Sequence, residues 1–303
     1  MSERSPSAHL ARLEAEAIHI FRESFAEASN PALLFSAGKD STVLADLARR
    51  AFAPARPPLP LLHVDSTWEF RELLAFRDRF AERNGFRLIV HANEEGRAKG
   101  INPFDHGEHY TEVMRTRALK QALDAGGYDV IFGGARRDEE KSRAKERIVS
   151  VRSPGHAWDP RNQRPELWRL YNLRLSEGQT VRVFPLSNWT ERDIWAYAQA
   201  KDLELAPLYF AAERRVVRRS GSFVAVDDFE RMRLRKDDRV ETRRVRFRTL
   251  GCWPVTGAIE SDAADLPSVV RETLAASLSE RQGRLSDGEN GGSLEAKKRE
   301  GYF

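Results

Sequence analysis

The chain has 303 residues, 32% of them charged, and a formal net charge of +4, so it can bury a large core as one big domain or as a domain with a smaller appendage. No apolar run approaches the ~18 residues of a membrane span, and the acids inside the pattern "MSERSPSAHLARLEAEAIHIF" argue against a signal peptide. The lone Cys252 excludes an internal disulfide and any multi-cysteine zinc or iron–sulfur site, and the chain reads as cytoplasmic.

Leu10, Leu13, Ala17, Ile20 or Phe21, and Phe25 recur at helical spacing and predict an opening helix before the Asn30-Pro31 break. Ala32 to Phe35 is a short apolar run of the kind a buried parallel strand carries. It breaks into Ser36, Ala37, Gly38, Lys39, Asp40, Ser41 and Thr42, and then Val43, Leu44, Leu47, Ala48, Ala51 and Phe52 resume on one helical face. A proline-rich loop leads to a second strand, Leu59 to Val64, with Asp65 at its end. "WEFRELLAFRDRFAERNG" is an amphipathic helix stopped by Gly85, "FRLIVH" a third strand, and a helix follows around residues 110 to 125. "YDVIFGG" is a fourth strand ending in Gly133 and Gly134. After a charged segment read as loop, "TVRVFPLSNWT" is a fifth, and Thr190 with Asp193 has capping-box spacing before the helix "ERDIWAYAQAKD".

This alternation predicts an α/β fold, a doubly wound parallel sheet of about five strands with ligands at the strand carboxyl ends. From about residue 205 the pattern changes. "RRVVRRSGSFVAVDD" reads as a hairpin around Ser220-Gly221, "RVRFRTLGCWPVTG" has no clear period, and the tail "SERQGRLSDGENGGSLEAKKREGYF" has the composition of disorder. The expected division is a catalytic domain over 1–204 and an irregular α+β extension over 205–303.

The break after the first strand is a strand-to-helix turn that aims N–H groups and a helix dipole at whatever sits above it, as suits phosphate or sulfate. It is not a Walker loop: Leu33 stands where that motif has glycine, and Asp40 where it has Ser or Thr. An ordinary turn with a capping Asp or Ser is the competing reading. Ser36, Gly38, Lys39, Asp40 and Ser41 are the candidate phosphate ligands, with Gly38 permitting close approach and Lys39 expected to face solvent. Asp40 is the odd member, either an N-cap or a partner of Mg²⁺ or Lys39.

Gly133, Gly134, Arg136, Arg137 and Asp138 form a second cluster, whose two arginines offer forked donors to sulfate or phosphate oxygens. Lys141, Arg143, Lys145 and Arg147 are individually weaker candidates. Asp65 would orient Mg²⁺ or ribose, or simply cap the following helix. Arg246 and Arg248 would share one face of an extended segment while Phe247 points the other way. The seven histidines show no H-x-x-x-H spacing, so no metal site is expected. Residues 136 to 147 hold six basic and four acidic side chains, and residues 213 to 248 thirteen and seven. Such mixed blocks are usually solvated surface, so nucleic-acid binding is the minor reading.

"FSAGKDSTVL" resembles the pyrophosphate-binding loop of the adenine-nucleotide α-hydrolase-like superfamily. "LLHVDSTWEFRE", "GINPF", "FGGARRDEEKSRAKER", "WDPRNQRPELW", "RVFPLSNWTERDIW", "VRFRTLGCWPVTGA" and the tail are similar to the small catalytic subunits of bacterial ATP sulfurylases. The resemblance runs from the first helix to the last residue. It implies adenylyl transfer from ATP to sulfate, giving adenosine 5′-phosphosulfate and pyrophosphate, with ATP as substrate and Mg²⁺ carried by it. It also implies a large elongation-factor-like GTPase subunit as partner, and neither nucleic acid nor membrane. The nearest rival, a sulfonucleotide reductase of the same superfamily, uses a cysteine near the C-terminus. This tail has none, and Cys252, between Gly251 and Trp253, reads as a buried structural thiol.

Overall fold

A computed structural model describes residues 7–275 except Ser220. The helix α1 (Ala8–Ala26) starts at Ser7, whose hydroxyl accepts from the Leu10 N–H at 3.3 Å. The strand β1 (Pro31–Leu34) then leads into α2 (Lys39–Phe52), and β2 (Leu61–Asp65) into α3 (Arg71–Arg83). Gly85, at φ +72°, supplies the left-handed residue that ends α3. After β3 (Leu88–Ala92) come α4 (Glu94–Ala98), α5 (Pro103–Thr111), a π-helical turn Glu112–Arg117 and α6 (Ala118–Gly126). The chain returns to the sheet as β4 (Val130–Phe132).

The charged stretch read as loop contains α7 (Lys141–Ala144) and β5 (Val149–Arg152), followed by β6 (Thr180–Val183) and α8 (Glu191–Ala200). The sheet therefore has six strands rather than about five, in the order β3-β2-β1-β4-β6-β5. All neighbours are parallel except β5, which runs antiparallel to β6 at the edge. The order reverses at β1: the chain builds outward to β3, then crosses back to place β4 on the other side. A crevice opens at such a switch point, beyond the carboxyl ends of β1 and β4. Helices cover both faces, with Phe21 of α1 stacked on Phe132 of β4 at 4.6 Å between ring centroids.

The C-terminal part is more regular than its sequence reads. The strands β7 (Ala212–Arg219), β8 (Ser222–Ala225), β9 (Glu241–Phe247) and β10 (Gly257–Glu260) close into an antiparallel barrel ordered β10-β8-β7-β9. β7 and β8 form the expected hairpin, with Arg219 opposite Ser222. The helix α9 (Leu266–Ala275) follows, and the tail from residue 276 lies outside the described residues. One apolar cluster runs from Leu10 to Val270, and Phe247 of the barrel meets Phe70 edge-on at 4.8 Å. Among the described residues no helix is long and apolar enough to cross a membrane.

Candidate active site

The turn after β1 is built around one left-handed residue and one glycine. Ala37 sits at φ +58°, fully buried, which swings the chain into α2. Gly38 is the helix cap and brings no side chain over the first-turn N–H groups. A Cβ there would meet the Ser36 hydroxyl at 3.3 Å and the Tyr209 hydroxyl at 3.5 Å. The Gly38 carbonyl accepts from the Thr42 N–H at 2.9 Å and from the hydroxyls of Ser41 and Thr42 at 3.0 and 2.8 Å. The Lys39 N–H donates to the Tyr209 hydroxyl at 2.7 Å, so the start of α2 is pinned from beyond residue 204.

Asp40 is not the helix cap. Its carboxylate accepts from Lys39 Nζ at 3.2 Å and from Arg136 Nε at 2.7 Å, which leaves one net positive charge in the trio. Burial pushes the Asp40 carboxyl up, but the charges of Lys39 and Arg136 outweigh it and hold the group below its ordinary value. Lys39 does not face solvent: its side chain and that of Arg136 are each 1% exposed. Gly134 makes the arrangement possible, because a Cβ there would lie 3.3 Å from both the Asp40 carbonyl carbon and the Ser41 nitrogen. Gly133 closes the sheet ladder by donating its N–H to the Val183 carbonyl.

The two arginines after β4 part company. Arg136 turns to the loop and also reaches Asp138 at 3.4 Å, whereas Arg137 donates to Asn188 Oδ1 at 2.5 Å, on the connection between β6 and α8. Arg246 ends up in β9 and Arg248 just beyond it, and both are held in ion pairs. Arg246 donates twice to Glu272 Oε1 (3.2 and 2.6 Å), and Arg248 lies 3.5 Å from Glu191. Asp65 accepts from the Thr67 N–H at 2.7 Å and lines an adjoining cavity of about 750 Å³ with Trp68, Glu69, Asp227, Asp228 and Arg231.

The cleft at the switch point has a volume of about 270 Å³. Ser36, Asp40, Ser41 and Gly134 form one end of it, and Leu34, Leu62, Val64 and Leu119 supply apolar wall. It also recruits His63, Glu69, Arg115, Glu139 and Arg143, most of which the sequence did not single out. Arg115 had no local signal: it stands on the π-helical turn, a geometry frequent at functional sites. Behind it, the Cys252 sulfur, 2% exposed, is hydrogen-bonded with the Tyr110 hydroxyl at 2.8 Å, Arg115 at 3.0 Å and the Ser66 hydroxyl at 3.2 Å. Glu69 accepts from the Ser66 N–H and hydroxyl, and burial pushes its carboxyl up. Among the described residues no cluster of three or more His, Cys, Asp and Glu is placed to hold a metal ion.

A glycine-capped helix start at the switch point of a doubly wound sheet defines an α/β protein with a cleft suited to an anionic ligand, and comparison with known proteins narrows the class. The phosphoadenosine phosphosulfate reductase domain matches residues 30–258. Sulfate adenylyltransferase subunit 2 of Rhizobium sp. (strain N33) is 60% identical over 98% of this chain and 99% of its own length. The protein of that name from Brucella anthropi is 61% identical over 97% of this chain and 96% of its own. Solved structures are more distant: a phosphoadenylyl-sulfate reductase from Candida auris aligns over 69% of this chain and 93% of its own, at 14% identity and a TM-score of 0.48. The chain belongs to the phosphoadenosine phosphosulfate reductase domain family and, within it, to the sulfate adenylyltransferase subunit 2 proteins.

Proposed function

We infer that this nucleotidyltransferase is the catalytic subunit that joins the adenylyl group of ATP to sulfate and releases pyrophosphate, the first step of sulfate assimilation. The observation carrying this reading is the glycine-capped start of α2 beside the net-positive Lys39–Asp40–Arg136 trio, at the switch point of the sheet. Sulfate is already ionised at neutral pH, so the chemistry asks for no protein nucleophile or general base. It asks for charge neutralisation and alignment. The first-turn N–H groups and the Ser36 and Ser41 hydroxyls hold the pyrophosphate end, and Lys39 and Arg136 neutralise it as it departs. Arg115 and Arg143, which line the same cleft, offer forked donors to sulfate.

Mg²⁺ arrives on the nucleotide in this reading. Asp40 and Glu139 are the carboxylates beside the phosphate end of the cleft, and Asp40 is already held by two cations. They fit an ion that keeps most of its ligands from phosphate and water, and such an ion would supply charge neutralisation of the triphosphate. The reductase reading is disfavoured by the burial and hydrogen bonding of Cys252, the one cysteine of the chain.

The words "subunit 2" in the relatives' names imply a partner subunit. We take it to be the large GTPase of the sequence resemblance, acting in the cytoplasm, since the product anhydride is a high-energy bond and this sequence has no Walker loop. In this reading residues 205–303 complete the site and help to dock the partner. Exposed Leu167, Trp168 and Leu170 offer an apolar patch for the same purpose. Incubating the chain with ATP, Mg²⁺ and sulfate, with and without that GTPase and GTP, tests the reading. Adenosine 5′-phosphosulfate and pyrophosphate should appear together, and failure to form them in either mixture overturns it.

A further inference from the structure

The contacts around Cys252 fit one arrangement of protons, and it ties two residues of the cleft together. Ser66 Oγ lies 2.5 Å from Glu69 Oε1, which also accepts the Ser66 N–H, so the serine spends its proton on the carboxyl group. The Tyr110 hydroxyl, 2.8 Å from Ser66 Oγ, then donates to that oxygen. A phenol has one proton, so at the 2.8 Å contact between Tyr110 and Cys252 the S–H is the donor. The sulfur in turn accepts from Arg115 Nη2 at 3.0 Å. Donation therefore runs in one direction, from Arg115 through Cys252, Tyr110 and Ser66 to Glu69, and both ends of the chain line the cleft.

We propose that Cys252 and Tyr110 are positioning residues for sulfate, setting the plane in which the Arg115 guanidinium meets the sulfate group in the cleft. The proposal rests on the reading of the cleft as the nucleotide site with Arg115 on sulfate. A guanidinium is a flat fork of five donors, so fixing one of them aims the rest. Arg115 needs such an anchor, because it is only half-buried on the π-helical turn and its long side chain is costly to order. The anchor itself is rigid. Ser66, Tyr110 and Cys252 are buried. Next to the thiol, the Trp253 N–H donates to the Trp68 carbonyl at 3.0 Å, and the Cys252 carbonyl accepts from the Thr256 hydroxyl at 2.7 Å. A thiol that merely filled space would have no use for three polar neighbours within 3.2 Å.

Calorimetric binding of adenosine 5′-phosphosulfate and of AMP to the full chain isolates the sulfate group, since AMP is the same ligand without it. The wild type should bind the phosphosulfate at least about tenfold tighter than AMP, the effect of a charge-assisted hydrogen bond. Arg115→Ala should erase most of that preference. Cys252→Ala should lower it about three- to tenfold while AMP affinity stays within about twofold, and Tyr110→Phe should lower it in the same direction. Cys252→Ser, whose hydroxyl can still accept and donate, should stay within about twofold of the wild-type preference. Arg115→Ala combined with Cys252→Ala should be no worse than Arg115→Ala alone, because the thiol acts through the arginine. If Cys252→Ala does not fold, Tyr110→Phe, which loses only a hydroxyl, carries the test. A folded Cys252→Ala or Tyr110→Phe with the wild-type preference overturns the proposal. So does an equal loss of affinity for both ligands, or a double variant whose losses add. If the wild type binds neither ligand, the nucleotide reading of the cleft falls as well; if it binds both equally, only the sulfate assignment of Arg115 and the role of Cys252 and Tyr110 fall.

Discussion

Replacing Lys39 with methionine removes a buried charge and keeps most of the stem that fills its site. Two effects then separate. Asp40 loses a partner at 3.2 Å and keeps Arg136 at 2.7 Å. Stranding a buried charge altogether costs about 3–5 kcal/mol. With one partner retained, the expected loss of folding stability is nearer the ~1.5–3 kcal/mol of a charge-assisted hydrogen bond. The sign with pH follows from the depressed Asp40 carboxyl. Its stabilisation is present above the unfolded value of about 4 and is lost as pH falls through the lower folded value. The stability gap between wild type and variant should therefore be widest at neutral pH and close in acid. Turnover should fall further than stability, since losing one preorganised group at developing charge costs roughly 10²–10³ in kcat. Urea titrations at neutral and acid pH, with pyrophosphate release at saturating ATP and sulfate, measure both. A folded Lys39→Met with wild-type turnover would refute the assignment of this lysine to the departing pyrophosphate.

Gly134→Ala should cost about 1–3 kcal/mol and raise the KM for ATP, because the atoms that the new methyl meets are the Asp40 and Ser41 backbone and cannot rotate aside. An unchanged melting temperature and KM would mean that α2 shifts freely. Arg136→Ala should destabilise and inactivate, whereas Arg137→Ala, which loses its bond to Asn188, should leave adenylyl transfer within about twofold. The reverse ranking would return Arg137 to the site. Cys252→Ala should cost about 1–3 kcal/mol through the hydroxyl and guanidinium donors left around it, and thiol reagents should react slowly with native protein. Fast alkylation with parallel loss of activity contradicts a structural role.

The strand-to-helix turn after β1 and its sheet were legible because their signals are local: an apolar run, a glycine-lysine-acid break and a resumed helical period within about twenty residues. β5 was not, because its four residues sit in a charged stretch and bury Ser150 and Arg152 along with Val149 and Val151. Its pairing with β6 is a long-range choice invisible to periodicity. Half of the barrel, the β7–β8 hairpin, was legible, and β9 hid for a related reason. "ETRRVRF" is dense in arginine, whose long stems lie along the protein while their heads pair with acids elsewhere, as Arg246 does with Glu272. Lys39 looked like a surface lysine because its burial is made by distant parts of the chain. Tyr209 is 170 residues from it in sequence, and Arg136 is 96 from Asp40. Arg115 carried no motif.

The hydroxyl of Tyr209 that pins the Lys39 N–H makes the loop's geometry a property of the whole chain. Cut after residue 204, the protein would keep every letter of "FSAGKDSTVL" but would release the first turn of α2 and strip Phe247 from Phe70. Grafted onto a foreign α/β scaffold, the same ten residues would meet no such phenol. Insertions between α8 and the barrel should therefore be felt at the start of α2, and engineers seeking to splice or shorten this protein have less freedom there than a surface linker would give them.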